Sequence, residues 1–242
     1  MRKACLFILF ALCSIMFGCE DVDVSPVPVA TPAFTDGYQI NLEKSTFLLQ
    51  IAIRPDPKKD TALILAIDGV LDESQYFLLA HKLRILDANT GEELQSFPLS
   101  YCDEPLTITT LSMVNALSGE VVVEDLNFDG CTDFRIMANA GTAGTEVYVY
   151  WTWNADSESF DESAELRALK LCNPKFDTAD QTITSEYADS ASDNEVRTYR
   201  YIDGKPRMVK WVRYRTDSYD FQIMTTVELH DGGLVVTEEY VE

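Results

Sequence analysis

From about residue 45 onward the chain is a succession of short apolar or alternating segments closed by turn residues, and a period of two fits strands rather than helices. The segments are 45–53, 61–67, 77–86, 92–99, 107–114, 119–124, 134–138 and 146–153, then 181–187, 195–201, 206–214, 221–229 and 234–240. Asp87-Ala88-Asn89-Thr90-Gly91 suits a hairpin, and Asp203-Gly204 and Asp231-Gly232-Gly233 supply further turns. Only 72–79 and 163–171 read as a helical turn or two. Roughly a dozen strands at regular spacing predict an all-β fold, an antiparallel meander that is β-propeller-like, with a β-sandwich as the alternative. No repeat of constant period forces the propeller. In 147–153, Val147, Val149, Trp151 and Trp153 alternate with Tyr148, Tyr150 and Thr152, so both faces are largely apolar or aromatic. Such a strand belongs in the middle of the structure, covered on both sides.

The chain starts with Arg2 and Lys3, an apolar run over 4–17, then Gly18-Cys19. A short positive segment, a hydrophobic segment and a small residue before a cleavage point make a secretory signal over 1–18. The run is too short to span a bilayer comfortably. Ile15-Met16-Phe17-Gly18-Cys19 resembles the lipobox of bacterial lipoproteins, with Met16 and Phe17 standing where leucine and a smaller residue are usual. The resemblance implies that Cys19 is acylated and becomes the new N-terminus, so membrane contact is by lipid anchor only; a simple signal peptide with an incidental cysteine is the other reading. The expected location is the bacterial envelope, in the periplasm and on the outer membrane. Residues 19–38, with Asp21, Asp23, Pro26, Pro28 and Pro32, read as an extended tether. Residues 39–242 are left as a single β-domain.

Losing Arg2 and Lys3 takes Lys+Arg from 19 to 17 against 40 Asp+Glu, a net charge of −23 for the processed chain. That repels phosphate backbones and anionic head groups, which excludes nucleic-acid partners. It attracts divalent cations or a basic protein, or else serves solubility alone. Cys102, Cys131 and Cys172 remain in a compartment where disulfides persist. Spacing does not decide the pair; the reading leans to Cys102–Cys172.

The sharpest local signal is Asp125-Leu126-Asn127-Phe128-Asp129-Gly130-Cys131-Thr132-Asp133. Side-chain oxygens at positions 1, 3 and 5, glycine at 6 and oxygen at 9 describe a calcium loop, with Cys131 contributing its backbone carbonyl at 7. The expected metal set is Asp125, Asn127, Asp129, Cys131 and Asp133, with Ca2+ as the cofactor. Ile136 stands where an EF-hand has its bidentate Glu, so the site resembles strand–loop–strand calcium sites, in which Asp133 closes the cage. A metal-free Asn/Asp/Gly turn is the competing reading.

Three motifs in order carry a wider resemblance: Asn127-Phe128-Asp129-Gly130, then Tyr148-Val149-Tyr150-Trp151, then Asn173-Pro174-Lys175-Phe176-Asp177. Over about 121–201 the chain resembles a family of exported bacterial proteins with these motifs, whose studied relatives include envelope lipoproteins acting as immunity proteins against lysozyme-like peptidoglycan hydrolases. The resemblance implies a β-propeller-like fold with bound calcium, and a cationic peptidoglycan hydrolase as the protein partner. Gly141, Thr142, Ala143 and Gly144 form a loop of small residues resembling those that periplasmic lysozyme inhibitors insert into the enzyme cleft; a plain hairpin connection is the alternative. Arg197, Arg200, Lys205, Arg207, Lys210, Arg213 and Arg215 read as a solvated hairpin whose charges guard an edge strand.

Catalysis is not expected. His81 and His230 sit beside no nucleophile or metal motif, and no nucleophile elbow, phosphate loop or zinc spacing occurs. Adjacent Glu238 and Glu239 are the kind of carboxylate pair that chance supplies among 40. The function expected is that of a calcium-binding envelope lipoprotein inhibiting a wall hydrolase. The alternative is a structural or adhesive lipoprotein with a purely structural calcium site.

Overall fold

Side chains that alternate along two central strands decide the layering. The computed structural model describes residues 37–41, 46–72, 77–101, 104–109, 121–140, 145–188, 193–217, 221–231 and 233–241. All of them belong to the unit Phe34–Glu242. Among these residues the chain forms three antiparallel sheets and one short helix, so it is all-β. No helix among them is long and apolar enough to cross a membrane.

Sheet I holds β1 (Gly37–Asn41), β2 (Thr46–Ile53), β3 (Leu63–Asp72), β4 (Phe77–Asp87), β5 (Glu93–Pro98), β6 (Ser100–Tyr101) and β7 (Glu104–Thr109). Its order is β1-β2-β3-β4-β7-β6, with β5 also paired to β4. The β4–β5 connection is the expected turn: the Asp87 carboxylate accepts the Asn89 and Thr90 N–H groups, both at 2.8 Å, and Gly91 takes φ +72°. Sheet II is β11-β10-β9-β8, from β8 (Val121–Glu124), β9 (Asp133–Ala140), β10 (Glu146–Asn154) and β11 (Ser159–Glu162). Helix α1 (Ala164–Ala168) starts where Ser163 caps it by accepting the Leu166 N–H, and Leu166 is buried. Sheet III runs in chain order through β12 (Lys175–Asp177), β13 (Thr182–Ala188), β14 (Asn194–Ile202), β15 (Lys205–Thr216), β16 (Gln222–His230) and β17 (Gly233–Val241).

Sheet II is the middle layer. Phe134 and Ile136 of β9, Val149, Trp151 and Trp153 of β10 and Phe160 of β11 pack on Leu49, Leu65, Ile67, Leu83 and Ile85 of sheet I. Phe134 stacks on Trp151 at 5.1 Å, and Phe160 meets Phe134 and Trp153 edge-on at 4.9 and 5.0 Å. The opposite face presents Met137, Tyr148 and Tyr150 to Leu166, Leu171, Ile183 and Tyr199. The two-faced strand expected at 147–153 is therefore β10.

Unequal sheets of seven, four and six strands give the propeller arrangement no support and fit the sandwich alternative. Three other expectations change. The helical turn expected over 72–79 does not reach its described ends: Asp72 ends β3 and Phe77–Leu79 are in β4, where strand pairing overrides local propensity, and 73–76 lie outside the described residues. Residues Gly37 and Tyr38, assigned to the tether, pair with Gln50 and Leu49. Cys131 and Cys172 are free thiols, so the Cys102–Cys172 pair is not formed; Cys172 Sγ turns back to the Lys170 carbonyl at 3.8 Å, and Cys102 lies outside the described residues.

Candidate functional site

The loop singled out by its oxygen spacing joins β8 to β9, whose ends pair as Glu124↔Asp133. Its side-chain oxygens turn onto the loop's own backbone. Asp125 accepts the Asp129 and Gly130 N–H groups through its two oxygens, at 3.2 and 2.9 Å. Asn127 Oδ1 also accepts the Asp129 N–H, at 3.2 Å, and Asn127 Nδ2 donates to Asp129 Oδ2 at 2.9 Å. Asp129 Oδ1 accepts the Cys131 N–H at 2.7 Å. Gly130 takes φ +85°, the backbone region glycine enters without strain, and a Cβ there would meet nothing within 4 Å; conformation rather than space selects glycine.

Apolar residues fix the loop to the body. Leu126 is fully buried among Tyr148, Tyr150 and Ile183, and Phe128 meets Tyr201 edge-on at 5.8 Å. The Thr132 N–H donates to the Pro55 carbonyl at 2.7 Å, tying the loop to the β2–β3 connection.

Asp133 is the anchor. It is 0 % exposed, and its two oxygens accept the Leu126 N–H at 2.9 Å and the Trp153 N–H at 2.7 Å. Burial pushes its carboxyl up to about 7, the negative charges of Asp129 and Asp125 push the same way, and the two N–H bonds pull it down. Burial, with Asp129 beside it, likewise pushes the Cys131 thiol up to about 11. A carboxylate has about four acceptor positions, so these N–H bonds leave oxygen capacity on Asp125, Asp129 and Asp133. Among the described residues no three His, Cys, Asp or Glu side chains converge into a metal-holding group. The set that calcium favours would need Asn127 and the Cys131 carbonyl as well.

The second and third sequence motifs meet around a residue that the sequence reading passed over, and the first reaches them through Phe128 and Phe176. Arg135 of β9 is nearly buried; its Nη1 donates to the Pro174 carbonyl at 2.9 Å and its Nε lies 2.7 Å from Glu124 Oε1. Its guanidinium sits over the Tyr148 ring at 4.4 Å and the Phe176 ring at 5.2 Å. Burial raises the Glu124 carboxyl even with Arg135 beside it. Asn173, at φ +45°, exchanges bonds with Glu146 like a strand residue: its N–H donates to the Glu146 carbonyl and its Oδ1 accepts the Glu146 N–H, at 2.9 and 2.7 Å. Phe176 in turn contacts Phe128 and Tyr150. The signal for Arg135 in the sequence was one basic residue inside the apolar run 134–138.

Other expected features scatter. Cys19 and Gly141, Thr142, Ala143 and Gly144 lie outside the described residues; the strands on either side of the latter pair as Glu146↔Ala140. Of the basic run, Arg197, Lys205, Lys210, Arg213 and Arg215 pair with Glu195, Glu165, Glu228, Asp193 and Glu238, as expected of a solvated hairpin, but β14 and β15 are interior strands of sheet III, so the run guards no edge. Glu238 and Glu239 are successive residues of β17 and point to opposite faces, so they form no carboxylate dyad.

No family model and no curated protein matches the chain. Among solved structures, a Xanthomonas type IV secretion system related protein matches with a TM-score of 0.53 and 13% identity, over 78% of this chain and 99% of that one. The likeness is one of fold.

Asp133 gives the site a pH signature. Its carboxyl lies above the ordinary aspartate value of about 4, so the folded state holds its proton more tightly than the unfolded one. The stability this contributes is present below about pH 4 and is lost as pH rises toward 7. In chelator, urea titrations should show the wild-type advantage over Asp133→Asn shrinking across that window; an advantage that stays constant contradicts the assignment.

Proposed function

We propose that this chain is an exported lipoprotein of the bacterial envelope, tethered through Cys19, whose β-domain binds calcium in the 125–133 loop and captures a cationic, lysozyme-like peptidoglycan hydrolase, inhibiting it without being an enzyme itself. The observation that carries this reading is the convergence of the three motifs. Asn127–Gly130, the Tyr148–Trp151 strand and Asn173–Asp177 are far apart in sequence, yet Phe176 of the third touches Phe128 of the first and Tyr150 of the second, and Arg135 lies over both Tyr148 and Phe176. Segments that form one unit in space are what a family signature of this kind requires. The fold likeness to a secretion-system related protein is compatible with an envelope location. The acidic balance, 40 Asp+Glu against 19 Lys+Arg, suits a basic partner arriving by electrostatic steering.

Calcium fits the loop chemically. Three carboxylates and an amide oxygen alternate along nine residues, and a divalent ion neutralises charges that otherwise push Asp133 toward its protonated form. Calcium in excess of its dissociation constant should raise the unfolding temperature, with about 2.7 kcal/mol of stabilisation at a hundredfold excess. Asp125→Asn combined with Asp129→Asn should remove the shift. An unchanged melting curve at millimolar calcium refutes the site.

The inhibitory reading assigns the cleft-entering role to Gly141, Thr142, Ala143 and Gly144. The processed chain should slow the clearing of a cell-wall suspension by a cognate lysozyme-like hydrolase. Replacing Thr142 and Ala143 by tryptophan should abolish that inhibition while leaving the unfolding temperature unchanged. Inhibition that survives the replacement moves the contact elsewhere, and binding to no hydrolase even at low salt favours a structural or adhesive lipoprotein.

A further inference from the structure

Strand β17 closes sheet III with only β16 beside it, and every one of its nine residues is exposed. Leu234, Val236 and Tyr240 are 62 %, 60 % and 71 % exposed, with Val235 and Val241 also open to solvent. The remaining edge strands among the described residues run two to six residues: β1, β5, β6, β8, β11 and β12. Long edges are normally blunted by Pro, Lys or a bulge, because a row of unpaired N–H and C=O groups templates further pairing. Here Gly233–Val241 contains no Pro, Lys or Arg, and its register with β16 is unbroken over nine pairs.

We propose that β17 is the site at which a second copy of this chain adds, antiparallel and about a two-fold axis at Thr237, joining two copies of sheet III into one continuous sheet. The register follows from the side chains. An axis at Thr237 pairs all nine residues: Leu234 lies opposite Tyr240, Val235 opposite Glu239, Val236 opposite Glu238, and Thr237 opposite itself. Aromatic–aliphatic and Thr–Thr pairs stabilise such ladders, and like charges directly opposite destabilise them. An axis one residue pair further along, at Glu238, would set carboxylate against carboxylate. An axis at Val236 would leave Tyr240 and Val241 unpaired.

Charge favours a second copy at this edge in particular. The whole chain carries −21, which opposes self-association over most of its surface. Strands β15–β17 instead hold Lys205, Arg207, Lys210, Arg213 and Arg215 against Glu228, Glu238 and Glu239. Lys205, Lys210, Arg213 and Arg215 are paired with Glu165, Glu228, Asp193 and Glu238, so the ribbon is close to neutral where most of the chain is acidic. Two ribbons meeting edge to edge therefore avoid the repulsion found elsewhere. The resulting interface is isologous, the arrangement of most homodimers.

Cysteine cross-linking tests the proposal and its register together. In the purified full chain, Thr237→Cys places two thiols face to face across the axis. Leu234→Cys places them six residues out of register, about 20 Å apart at the rise of an extended strand. Mild oxidation should convert Thr237→Cys to a species of twice the mass on a non-reducing gel, reversed by reductant. Leu234→Cys and the wild type, with its free Cys131 and Cys172, should stay at one protomer mass. Both substituted side chains are exposed, and unchanged thermal unfolding confirms the fold of each variant. Absence of the Thr237→Cys dimer, or an equal yield from Leu234→Cys, overturns the proposal.

Discussion

The buried carboxylate of Asp133 is the constraint on which the candidate site depends. Its two oxygens hold the Leu126 N–H at the start of the loop and the Trp153 N–H in β10, twenty residues away in sequence. An uncompensated carboxylate in an apolar interior is strongly unfavourable, and these two donors are what make this one tolerable. They also leave the loop little freedom: its first turn, its exit into β9 and the neighbouring strand are fixed to a single group. Truncating that group would orphan two buried N–H groups, each at a penalty of about 1–3 kcal/mol.

Arg135, two residues further along β9, does the same on the same face of sheet II. It satisfies the Pro174 carbonyl, neutralises Glu124 and lies over Tyr148 and Phe176, so one side chain links the loop strand to the segment before β12. Buried ion pairs are weak evidence for stability, because desolvation offsets the attraction. Their value here is geometric. A guanidinium with one carbonyl, one carboxylate and two rings around it accepts one arrangement of those partners, and that arrangement sets Phe176 against Phe128 of the loop.

Much of this was legible in the chain. The alternation of Val149, Trp151 and Trp153 with Tyr148 and Tyr150 announced a strand with two buried faces, because in a strand side-chain direction is fixed by parity alone. The helical turn read at 163–171 is α1, and the Ser163 cap that starts it is seen in the structure. The alternating oxygens of 125–133 marked the candidate loop, and glycine at position 130 matches its positive φ. What stayed hidden was non-local. Nothing near Asp133 says that Trp153 will donate to it, and nothing near Arg135 says that Pro174 will accept from it. At Asp72 and at Phe77–Leu79 the helical reading gave way for the same reason: local propensity was overridden by pairing between β3 and β4, and that pairing is a property of both strands together.

Capture of a basic wall hydrolase is the claim that joins the acidic surface, the anchored loop and the tether, and calorimetric titration tests it most directly. The processed chain would be titrated with a panel of cationic muramidases and glucosaminidases in calcium, at low and at physiological salt. The account predicts saturable one-to-one binding to at least one of them, weakening as salt rises because steering charges are screened. Absence of binding to every enzyme of the panel, even at low salt, would contradict it.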